Sequence, residues 1–115
     1  MLKSVIILIV ISMVSFVQMS HATELWTGQK NIKAIQVVSN GGFLIFFNSE
    51  VNSACTAAGT DSVYIYPGQV WSVTTEGVQA LLAIALSAYH SGDKVTVSYD
   101  DGSPNCWSRQ IYISK

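Results

Sequence analysis

Residues 75–92 run TEGVQALLAIALSAYHSG, and the rest of the chain is read outward from this one helical signal. Thr75 suits an N-cap and Glu76 the positive end of a helix dipole. Val78 to His90 is rich in Ala and Leu, and Ser91-Gly92 supplies the stop. From Gly77 to Gly92 there is no Asp, Glu, Lys or Arg in sixteen positions. Val78, Leu81, Leu82, Ala85 and Tyr89 share one face by three-and-four spacing. Ala80, Ala83, Ile84 and Ala88 keep the other side apolar or small. A helix apolar all round must be covered all round, and a chain this short covers one side. The expected cover is other copies of the chain in a ring, so Val78, Leu81, Leu82, Ile84, Ala85 and Tyr89 are the candidate oligomer contacts. The alternatives are that the loop from Glu50 to Asp61 folds over the helix, or that its alanines tolerate exposure.

Before the helix, Asn31 to Val38 (NIKAIQVV) reads as a β-branched strand. Ser39-Asn40-Gly41-Gly42 is a hairpin signal, because Asn and Gly tolerate the positive φ that such turns require. Phe43 to Phe47 (FLIFF) is a continuous apolar run, hence a strand covered on both faces or a barrel strand. Glu50 to Asp61 is a polar loop holding Cys55. Ser62 to Tyr66 (SVYIY) is a third strand, stopped by Pro67-Gly68, with Val70 to Val73 as a candidate continuation. After the helix, Lys94 to Tyr99 (KVTVSY) alternates cleanly, Asp100 to Asn105 is a turn, and Trp107 to Ile113 (WSRQIYI) alternates again. The order β-β-β-α-β-β predicts a mostly β domain, a five-stranded OB-fold-like barrel. A small open α+β sheet is the alternative arrangement. A ferredoxin-like sandwich is excluded because it needs a second helix.

Met1 to Ala22 has the parts of a secretory signal. Lys3 is the charged end, Val5 to Val17 is apolar apart from Ser12 and Ser15, and Ser20-His21-Ala22 offers a cleavage site. The apolar run of about 13 residues is shorter than the roughly 20 that a membrane span needs. Cleavage after Ala22 takes 22 residues from 115 and leaves a single domain of 93, from residue 23 to 115, with five basic and seven acidic groups. Export places Cys55 and Cys106 in an oxidising compartment, where an even pair becomes a disulfide. Two cysteines 51 positions apart lack the paired spacing of zinc ligands.

The full chain has 6 Lys+Arg against 7 Asp+Glu, and only 11% of its residues are charged. That balance excludes a nucleic-acid binder working by charge. No metal or cofactor is expected: Asp100-Asp101-Gly102-Ser103 is a turn with too few ligands for calcium, and no phosphate loop is present. His90 is the one histidine left after cleavage, and no nucleophile is spaced to use it as a base. The residues therefore predict a non-enzyme, a secreted hydrolase being the least favoured reading. Trp26, Trp71, Trp107 and five tyrosines are many for such a chain. Rings with a polar edge suit sugar faces, although core filling is the plainer role for Trp71 and Trp107.

Four short segments resemble a known family. Leu25-Trp26-Thr27-Gly28 resembles the Trp-Thr-Gly opening of the B subunits of AB5-type toxins, specifically subtilase cytotoxin and typhoid toxin. Ser53-Ala54-Cys55 resembles a Ser-Ala-Cys or Val-Ala-Cys segment there. Val70-Trp71 and Ala88-Tyr89-His90-Ser91-Gly92-Asp93-Lys94-Val95 resemble the approach to the helix and the exit from it. The resemblance implies an OB barrel in a homopentamer, helices around a central pore, binding of a host cell-surface glycan, and carriage of a separate catalytic A subunit. It also implies a sugar site in which Tyr99 matches a tyrosine of the strand after the helix. Asn31 stands where that family has a hydroxyl residue, and can donate and accept hydrogen bonds. The chain departs from the family in length and in having two cysteines only, with Phe46 and Phe47 where a partner for Cys55 would stand, which leaves Cys106. The alternative function is a monomeric periplasmic or secreted binding module, for instance an inhibitor of another protein.

Overall fold

A computed structural model describes residues 23–114; the expected signal, residues 1–22, lies outside them. The strands are β1 (Glu24–Trp26), β2 (Ile32–Val37), β3 (Phe43–Phe47), β4 (Ser62–Ile65), β5 (Lys94–Asp100) and β6 (Ile111–Ser114), with helix α1 (Thr75–Ser91) between β4 and β5. They form two open three-stranded sheets, ordered β2-β3-β4 and β1-β5-β6, and every ladder is antiparallel.

The hairpin joining β2 to β3 forms where Asn40-Gly41 marks it, closed by the Val38 N–H donating to the Gly42 carbonyl at 3.0 Å. The FLIFF run is covered on both faces: Phe43, Ile45 and Phe47 point into the core, and Leu44 is 7% exposed on the opposite face. Val95, Val97 and Tyr99 of β5 meet them from the other sheet, and Val78, Ala85 and Ala88 of α1 cap the space between. One core therefore serves both sheets.

The expected five-stranded OB-fold-like barrel is not formed. Six strands in two open sheets replace it, and the seams show why closure fails. Between β1 and β2 the chain leaves strand geometry at Gly28, whose φ of 70° is the left-handed region open to glycine. There a single bridge, Lys30 to Val95, joins the two sheets. On the other side, β4 ends before Pro67-Gly68, and Tyr64 alone bridges Trp107. Cys106 has a φ of 50°, so the expected strand from Trp107 to Ile113 is ladder only from Ile111 onward. The small open sheet set beside the barrel as its alternative is closer to what forms. Without a closed barrel, the fold behind the likeness to toxin B subunits is gone. The labels that depended on it (toxin subunit, lectin, pentamer) lose their basis as well.

Smaller expectations also shift. Thr74, not Thr75, caps α1, its hydroxyl accepting from the Gly77 N–H at 3.0 Å, and Gly92 closes the far end in the left-handed region. Val70 to Val73 is turn and coil rather than strand. β1 was not foreseen.

Candidate ligand and assembly surfaces

The pair expected to touch sugar is divided between the two sheets, Tyr99 on β5 and Asn31 just before β2. Tyr99 pairs with Leu25 on β5 and is 5% exposed; its hydroxyl accepts from Asn52 Nδ2 at 3.3 Å. Asn31 is half-buried between the Lys30 bridge and β2, and its carbonyl accepts from the Asn48 N–H.

Beside Asn31 the structure opens a shallow cleft of about 530 Å³, lined by Lys33 of β2, Phe47 at the end of β3, Asn48 to Glu50 after it, and Gly59 to Asp61 before β4. Two of its three charged side chains engage each other, and Lys30 beside it bonds to its rim. Lys33 Nζ donates to Asp61 Oδ2 at 2.9 Å, which holds the Asp61 carboxyl below its ordinary range against the opposing effect of burial. Lys30 Nζ donates to Ser49 Oγ at 2.6 Å and to the Glu50 carbonyl at 3.0 Å. The ring of Phe47 at its floor is fully buried. The cleft thus offers hydrogen bonds but no exposed ring.

α1 divides partly as its spacing suggests, but Ala88, expected on the outer side, is fully buried in the core, and Tyr89, expected on the inner face, is exposed. Val78 and Ala85 belong to this chain's core, and Leu81 and Leu82 pack against it half-buried. Ile84 is 40% exposed, Tyr89 46% and Leu86, not among the expected contacts, 39%. The loop from Glu50 to Asp61 does not cover them. It is tied elsewhere, by the Cys55–Cys106 disulfide and by the Ala57 N–H donating to the Pro104 carbonyl. The expected disulfide is present, and both cysteines are buried.

A third surface was missed by residue spacing because its members come from three separated segments. Glu24 accepts two bonds from Arg109, from Nε at 2.6 Å and Nη2 at 3.0 Å, and Gln110 Nε2 reaches both carboxylate oxygens. The Arg109 guanidinium donors hold the Glu24 carboxyl below its ordinary range, burial opposes this, and Gln110 adds to the lowering. Glu24 in turn raises Arg109. The guanidinium lies 4.2 Å from the ring centre of Trp71, a cation–π contact. One level along the same sheet, Trp26 and Tyr112 stand 5.8 Å apart, 45% and 54% exposed.

His90 is exposed in the last turn of α1. The neighbouring Ser91 hydroxyl is within hydrogen-bond reach of the Ser87 and Ala88 carbonyls and of Asp93 Oδ2, rather than of the imidazole. Asp100 serves the turn, its Oδ1 accepting from the Gly102 N–H. Among the described residues no cluster of three His, Cys, Asp or Glu side chains could hold a metal.

No family model matches this chain, and no curated protein matches it. The likeness of Leu25–Gly28 and the three other short segments to toxin B subunits has neither a family match nor the fold behind it, and it does not stand.

Proposed function

We propose that this chain is an exported, non-catalytic binding domain that associates with copies of itself through α1 and recognises a glycan. The observation that carries the reading is the solvent side of α1, where Ile84 and Leu86 are exposed on its two flanks and Tyr89 near its end, with Ala80, Ala83 and Ser87 between the flanks, on a helix without Asp, Glu, Lys or Arg from Gly77 onward. Exposed apolar groups gathered on one element cost solubility unless a partner covers them, and an identical copy brings the same unmet face. The buried disulfide supports export. The glycan half of the reading draws on the charge-balanced surfaces around Asn31 and Glu24, which offer hydrogen bonds without net charge.

Light scattering on residues 23–115 tests the assembly. The subunit weighs about 10 kDa, its share of 12.5 kDa. A mass that is a multiple of this, collapsing to one subunit in Leu86→Glu, is the expected result. A wild-type monomer rejects self-association and favours the monomeric module or inhibitor of another protein.

A further inference from the structure

We propose that Trp26 and Tyr112 form a stacking platform for one saccharide ring, with Arg109 and Gln110 as its hydrogen-bonding rim. The inference rests on the glycan reading above and gives it a site that neither Asn31 nor Tyr99 provides.

The platform follows from strand register. Trp26 of β1 pairs with Ser98, and Tyr112 of β6 pairs with Thr96, so the two rings reach across the central strand from opposite sides on one face. Thr96 and Ser98 beneath them are 4% and 0% exposed. The rings thus rest on a filled layer and present their outer faces to water. Two residues before Trp26 on the same face is Glu24. Gln110, two before Tyr112, is held on the other side of β5 by bonds with Ser98. Glu24 and Gln110 therefore meet at one level of the sheet, and Trp26 and Tyr112 at the next.

The polar level is fixed before any ligand arrives. Glu24 clamps Arg109 through two bonds and is itself held by Gln110, while Trp71 lies against the guanidinium. These bonds leave Arg109 Nη1 and, among the described residues, Gln110 Oε1 without a protein partner. Both residues are exposed, so a donor and an acceptor remain for a ligand. Pre-set partners of this kind reduce the ordering cost of binding.

The chemistry selects the occupant. A pyranose has an apolar C–H face one ring wide and hydroxyls at its edge, matching an exposed ring beside a donor and an acceptor. Glu24 and Arg109 cancel each other's charge, which suits a hydroxyl-rich ligand. A protein hot spot centres its aromatic anchors in a wider, water-excluding patch. Here the next residues on the face are polar: Lys94, Ser114 and Gln110.

The test uses the biotin-labelled mature protein on an array of oligosaccharides ending in glucose, galactose, N-acetylhexosamine or sialic acid. Binding to at least one terminus by the wild type is expected, with a loss of about tenfold or more in Trp26→Ala and in Tyr112→Ala. Trp26→Phe should retain part of it. Unchanged thermal midpoints establish that the variants fold, and Gln110→Ala, an exposed change, gives a second route if they do not. Equal array binding by wild type and all these variants overturns the platform and leaves the glycan reading in place. No binding by the wild type to any terminus removes both. A Trp26→Ala variant that changes the molecular mass, with glycan binding intact, makes this face a protein interface and overturns the platform too.

Discussion

Gly42 sits where the hairpin enters β3, and its missing side chain is a packing requirement. A Cβ there would fall 2.7 Å from the Ile65 carbonyl oxygen, and the rings of Tyr64 and Tyr66 stand just beyond. Backbone oxygen has little room to retreat, so Gly42→Ala should destabilise the domain by about 1–3 kcal/mol, read as a lower urea midpoint at unchanged slope. Glu24 gives a prediction in pH. Its carboxyl is held below the ordinary value of 4.5 by Arg109. A depressed carboxyl contributes stability that is present above the unfolded value and lost as pH falls through the folded one. The thermal midpoint of the wild type should therefore exceed that of Glu24→Gln at neutral pH, and the gap should close below about pH 4.5. A gap that stays constant through that range would show that the Arg109 clamp adds nothing. The pair of cysteines and the turn at Asp100 were legible in the sequence, because each depends on its own few residues. The Glu24–Arg109–Gln110 clamp was not, since it joins residues 85 and 86 positions apart that no local pattern connects.

At the scale of elements, the sequence was most legible where periodicity ran longest. α1 and β5 fall within a few residues of their expected limits, because Ala/Leu density and strict alternation are local signals. β1 was missed for the opposite reason. Three residues carry no period, and Glu24–Trp26 is a strand only because β5 supplies its hydrogen bonds. The stretch from Trp107 to Gln110 alternates, yet Cys106 enters it in the left-handed region, and most of it is tied by separate bonds to Tyr64, Ser98 and Asp100. Local alternation says nothing about such a kink. The helix start tests how much the cap matters. Thr74 supplies the one side-chain bond to the first turn, so Thr74→Ala should cost about 1 kcal/mol, visible as a lower thermal midpoint. Thr75→Ala should leave the midpoint nearly unchanged, because that hydroxyl is not the cap. A larger loss in Thr75→Ala than in Thr74→Ala would put the cap at Thr75, where the sequence had placed it.

For the whole molecule, the two open sheets are joined by single bridges at Lys30–Val95 and Tyr64–Trp107, so strand pairing contributes little to holding them together. Two other ties do the work. The shared core of Phe43, Ile45 and Phe47 against Val95, Val97 and Tyr99 is one. The other is the disulfide, which fastens the loop before β4 to the turn after β5 across 51 positions. A cross-link over that span removes about 4 kcal/mol of loop-closure freedom from the unfolded chain, a large share of the 5–15 kcal/mol typical of a domain. Replacing both cysteines with Ala should therefore lower the unfolding free energy by roughly that amount. The loss should fall unevenly. The ladder between β2 and β3 does not depend on the cross-link, whereas Tyr64 bonds directly to the Cys106 carbonyl and Ser108. Hydrogen exchange should thus accelerate first at Tyr64 and Ser108, with Gln36 and Leu44, a hydrogen-bonded pair across β2 and β3, protected longest. Uniform acceleration at all four amides would mean that the two sheets open as one unit and that the shared core, rather than the disulfide, governs how they are held together.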